Sequence, residues 1–94
     1  MKEVDSSFYD RADAHIHLSN EQLARTDVGA VSASMIYGTA RFNAMWSAGT
    51  CESREQFTRA REEILAYLCE QYRMMLEDHL DDCAANFDRY MSGK

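Results

Sequence analysis

Proline is absent from this 94-residue chain and glycine occurs only four times. Few helix breakers remain, because proline and interior glycine are the residues that interrupt helices most strongly. Cysteine is scarce as well. Cys51, Cys69 and Cys83 are odd in number and show no CxxC spacing, so they read as reduced thiols in a reducing compartment. No apolar run approaches the roughly 20 residues of a membrane span. Behind Met1-Lys2-Glu3-Val4-Asp5 there is no hydrophobic segment of the kind that makes a secretory signal. These absences predict a cytoplasmic protein that does not engage membrane. Positive charge is also in short supply: 10 bases face 16 acids, a formal net charge of −6. Nucleic acid and anionic lipid both call for a basic footprint, so neither is expected as a partner. A basic protein is. Glycine-rich phosphate loops, Walker motifs and dinucleotide fingerprints are all missing.

What is present is helical. Apolar residues make up 46% and charged residues 28%, which is ordinary for a globular chain, and the length suits one domain. The expected domain is residues 1–94, frayed over 1–5 and 92–94. Helix one is predicted from Ser7 to Arg25, with Ser7 and Asp10 as a capping pair and Phe8, Ala12, Ile16 and Leu23 along one face. Gly29 reads as the terminator region that follows it. Ser32 is the expected cap of helix two, Ala33 to Ala48, with Val31 and Ile36 as its hydrophobic staple. Arg41 is the only charge in that helix. A helix apolar almost all round is usually buried and central, and Gly38, Ala40, Ala44 and Ala48 suggest close approach by a neighbour.

Ser53 and Gln56 form a capping box for helix three. From there to Met91 neither glycine nor proline occurs, and Phe57, Ile64, Leu68, Tyr72 and Met75 begin an apolar face that runs on to the end. Glu55–Arg59 and Arg59–Glu63 are spaced as helical ion pairs. Asp78, Asp81 and Asp82 are poor interior helix formers. The predicted fold is therefore all-α: a helical hairpin packed against a long C-terminal helix, three helices in all, or four if the last breaks near residues 78–82.

Chemistry is thinly represented. His15 and His17 project about 200° apart on a helix and cannot share a metal. His79 and Cys83 are correctly spaced for zinc but lack a second pair. Cys51 sits before a helix start, where a thiolate is stabilised, with no base paired to it. No catalytic residue, metal or cofactor is assigned. Arg41 reads first as a structural or snorkelling arginine, partly buried and paired with Glu21 or Asp13. Its functional alternative is an anion-binding site with Asn43, Asn20 and Gln22. The distal apolar stripe of helix three, Leu76, Leu80, Cys83, Phe87 and Met91, would lie in water unless a second chain covers it. The acidic run beside it, Glu70, Glu77, Asp78, Asp81, Asp82 and Asp88, reads as a solvated face or as a docking margin for a basic protein.

Three stretches together resemble the DUF3144 family of short bacterial proteins of unknown function. They are Phe8-Tyr9-Asp10-Arg11-Ala12-Asp13 on through Gln22; Val31 to Tyr37 with Ala40-Arg41-Phe42-Asn43-Ala44-Met45-Trp46; and Gln71 to Glu77 with Leu80-Asp81-Asp82 and Asn86 to Met91. The resemblance covers nearly the whole chain. His79 and Cys83 stand where an amide and an aromatic residue are expected, which weakens the zinc reading. The resemblance implies a small bacterial helical protein and carries no activity, cofactor or catalytic residue. The functional expectation is a non-enzymatic, homodimeric protein-interaction module. The alternative is a small-ligand or anion-binding bundle centred on Arg41.

Overall fold

The computed structural model describes residues 4–93. The fold is all-α, with no strand among the described residues. Helix α1 spans Phe8–Gln22, α2 Val28–Gly49, α3 Arg54–Ala85 and α4 Phe87–Met91. The first two make the helical hairpin, and α3 is the long C-terminal helix. The chain divides into two compact units, residues 1–46 and 47–94.

In the first unit, α1 does not start on the expected capping pair. Ser7 makes no side-chain cap bond. Asp5 takes the role instead: its carboxylate accepts from the Ser7 amide at 2.9 Å and from both Arg11 guanidinium nitrogens at 2.8 and 3.3 Å. Asp5, expected to be frayed, is thus tied to the first turn, while residues 1–3 and 94 lie outside the described residues. The α-helix ends at Gln22, and Leu23 to Arg25 continue as hydrogen-bonded turns.

Helix α2 begins five residues earlier than the sequence reading placed it. Asp27 is its cap: the carboxylate accepts from the Ala30 amide at 2.8 Å and the carbonyl from the Val31 amide at 3.2 Å. Gly29 therefore lies in the first turn of α2 rather than ending α1, and Ser32 lies inside the helix. No Cα of α1 comes within 8 Å of one in α2, so the hairpin is joined through its turn and not interlocked along its length. The expectation of a buried α2 is overturned accordingly. Val31, 5% exposed, is the only buried residue of the helix, while Phe42 is 63% and Trp46 62% exposed. Nor does a neighbour press on Gly38, where a Cβ would meet nothing within 4 Å.

In the second unit the capping box forms as expected. The Gln56 amide donates to Ser53 Oγ at 3.1 Å, and the Gln56 side chain reaches back to accept from the Glu52 amide at 2.6 Å. Over its 32 residues α3 extends about 48 Å. It passes through residues 78–82 without interruption; the break falls at Asn86, whose φ of −122° and ψ of 28° leave the helical region. Neither expected pair of Arg59 forms among the described residues. Arg73 makes the paired charges instead, with Glu70 at 2.5 Å and Glu77 at 2.6 Å. Planar guanidinium geometry lets it serve both turns at once.

Candidate functional site

The sequence placed an interface on the distal half of α3. Helical spacing brings Leu76, Leu80 and Cys83 onto one stripe of that helix, and Phe87 opens α4 four residues later. Leu80 is 58% and Phe87 59% exposed; Leu76 and Cys83 are exposed as well, and Met91 is half-buried. The end of the stripe is fixed by a compact polar cluster. The Asn86 side-chain amide donates to the Asp82 carbonyl at 3.1 Å and to its carboxylate at 2.9 Å. The Tyr90 hydroxyl donates to the other Asp82 oxygen at 2.7 Å. The Arg89 guanidinium lies 4.9 Å from the Tyr90 ring centroid, within cation–π range. These bonds satisfy the Asp82 carbonyl and tie α4 to the last turn of α3.

The acids beside the stripe differ in environment. Glu77 is engaged by Arg73, and Asp82 by Asn86 and Tyr90. Asp78 and Asp81 have no cationic partner among the described residues. Hydrogen bonding from Arg73 holds the Glu70 carboxyl below the usual carboxylate range.

The tentative anion site is dispersed. Arg41 is exposed and meets no carboxylate or hydrogen-bond acceptor among the described residues, which overturns the expectation that it is buried and paired. Asn43 is half-buried on α2, whereas Asn20 and Gln22 are exposed on α1. With no Cα of α1 within 8 Å of α2, the two amides of α1 are not brought to the two residues of α2. His15 and His17 are exposed, and His17 lies 3.4 Å from Glu21. No group of three or more His, Cys, Asp or Glu among the described residues is placed to hold a metal. In the second unit, Ser47, Ala60, Glu63, Ile64, Tyr67 and Leu68 line an open apolar trough. It lacks the enclosure by which ligand pockets bury most of a small molecule. No helix among the described residues is long and apolar enough to cross a membrane.

A feature that reasoning from sequence passed over is the seam of α2. Val31, Met35, Gly38, Phe42 and Met45 are spaced four, three, four, three. That 3.5-residue average is the repeat of helix pairs packed knobs-into-holes. The small residues of α2 compete with this signal in the sequence, since Ala40, Ala44 and Ala48 offer a packing strip of their own.

No curated protein matches the chain. Among solved structures, it is similar to the NMR structure of the protein NB7890A from Shewanella sp., with 33% sequence identity, 99% of each chain covered and a TM-score of 0.77. The family model described as "Protein of unknown function (DUF3144)" matches residues 8–84. A match over that much of the sequence, in a chain whose helices accord with a solved relative, places this protein in the DUF3144 family.

Proposed function

We propose that the chain is a non-enzymatic protein-interaction module of the cytoplasm. It works as a homodimer held by the distal stripe of α3, with the acidic margin of that stripe suited to a basic protein. The observation that carries this reading is the exposure of Leu76, Leu80 and Cys83 on an α3 that runs unbroken through residues 78–82. A fold-back near residues 78–82, which would let α3 cover its own stripe, is absent from the continuous helix. Contiguous apolar surface of this kind marks interaction sites on soluble proteins, and two-fold pairing is the simplest way to cover it. The anion-binding reading has less support, since its four side chains are dispersed over two separated helices.

Light scattering at micromolar concentration tests the proposal. The expected mass is that of a dimer, and Leu80→Glu is expected to give a monomer. Each copy carries a net charge of −6, so added salt should tighten association by screening the mutual repulsion. A monomer mass at both low and high salt, with Leu80→Glu leaving stability unchanged, overturns it.

A further inference from the structure

We infer that the surface covering the distal α3 stripe is α2 of a second copy, each α2 lying along its partner's α3. This rests on the homodimer reading above and names the partner of its interface.

Charge is the first reason. Helix α2 contains no acid, and its single charge, Arg41, has no acceptor among the described residues. The stripe, in contrast, runs beside Glu77, Asp78, Asp81 and Asp82, with no Lys or Arg between residues 74 and 88 and His79 as the one basic side chain there. Packing one stripe on another would set these acids against their own copies. Packing α2 on the stripe sets a lone cation against Asp78 and Asp81, the two acids that lack a cationic partner among the described residues. Complementarity of this kind fixes register and suppresses wrong pairings.

Pattern is the second reason. Within α3, Leu76, Leu80 and Cys83 are spaced four and three, and the exposed part of the α2 seam, Met35, Gly38, Phe42 and Met45, alternates three, four, three. Two helices with a 3.5-residue repeat can interdigitate along their lengths. Gly38 lies at the middle of the α2 seam with open space where its Cβ would be. A glycine inside a helix weakens it, and close passage of a partner helix over that point gives the glycine a use that the single chain does not. Two-fold symmetry then produces the contact twice, residue for residue.

The test is isotope-filtered NMR on the full-length protein, mixing labelled and unlabelled chains. Expected are contacts between chains from the Phe42 and Trp46 rings to the Leu76 and Leu80 methyls. Arg41→Glu and Gly38→Leu are each expected to raise the dimer dissociation constant at least tenfold, with helix content by circular dichroism unchanged. Asp81→Arg should recover much of the loss caused by Arg41→Glu. A dimer whose interchain contacts join stripe to stripe overturns this inference and leaves the homodimer intact. So does a dimer in which Arg41→Glu has no effect. A monomer at every concentration overturns the homodimer reading itself.

Discussion

Asp27 does for α2 what Ser53 does for α3: each places a side-chain oxygen on the third helical amide, at 2.8 and 3.1 Å. Losing such a cap costs about 1 kcal/mol. Asp27→Ala should therefore lower the unfolding free energy by that much, read as a lower urea midpoint at unchanged m-value, and an unchanged midpoint would show that α2 begins elsewhere. Ser53 was legible because Gln56 completes its box. Asp27 was not, because Gly29 and Ser32 offered competing stop and start signals two and five residues on. The structure shows what Gly29 does instead: a Cβ there would stand 3.3 Å from the Asp27 carboxylate, tight against the cap. Asp5 is a second local anchor. Hydrogen bonding from Arg11 holds its carboxyl below the usual aspartate range. Its folded value is thus lower than its unfolded one. The stabilisation it adds is fully present above the ordinary range, about 4, and fades as pH falls through the lowered value. Arg11→Gln should return the Asp5 titration, followed by carbon NMR, to that ordinary range. A titration that does not move would break the assignment. Both groups are exposed, so the effect on global stability is small and weakened by salt.

At the scale of the element, α3 is the clearest case of propensity overridden by a local device. Three aspartates at 78, 81 and 82 suggested a break, yet the helix passes through them, since unfavourable propensities of a few tenths of a kcal/mol each are easily outweighed. What ends α3 is Asn86, which leaves the helix while its side chain and amide satisfy Asp82. Asn86→Ala removes the side-chain bonds and supplies the best helix former. The expected outcome is fusion of α3 with α4, read as helical 13Cα shifts running through residues 85–88; a persistent break would assign it to Tyr90 and Asp82 alone. Continuity also separates the thiols. Cys69 and Cys83 lie on one uninterrupted helix, and fourteen residues of rise put them about 21 Å apart. A disulfide needs about 7 Å or less between Cα atoms, so mass spectrometry without reductant should find no such link within one chain. For α2, the existence, C-terminal end and apolar character were readable, but its start and its surroundings were not. Helical periodicity reports which residues share a face. It does not report what lies against that face, and here the hairpin's other helix does not.

At the scale of the molecule, the chain has the composition of a globular protein and very little core of its own, with Val31 alone buried among the described residues. Large apolar side chains such as Ile36, Phe42, Trp46, Leu80 and Phe87 are more than half exposed. Burying a side chain of this class contributes about 1.5–3 kcal/mol, a large share of the 5–15 kcal/mol that holds a typical domain together. A chain that forgoes several of them has that much stability to gain from a partner that covers them. If that cover is a second copy, folding and association become one equilibrium. Stability then depends on concentration by mass action, because the bound partner stabilises only the folded state. The thermal midpoint should rise steadily as protein is taken from about one to one hundred times the dimer dissociation constant, a range over which the linkage contributes about 2–3 kcal/mol. Leu80→Glu should flatten that dependence and leave a low, constant midpoint. Gly38→Ala separates the two states more finely. In a dilute single chain, with open space at that position, alanine should stabilise α2 by about 0.5–1 kcal/mol. In concentrated protein, where a partner helix crosses the same point, the added methyl should instead weaken association. The two midpoint curves should therefore cross as concentration rises. Parallel curves would mean that nothing in the dimer approaches Gly38.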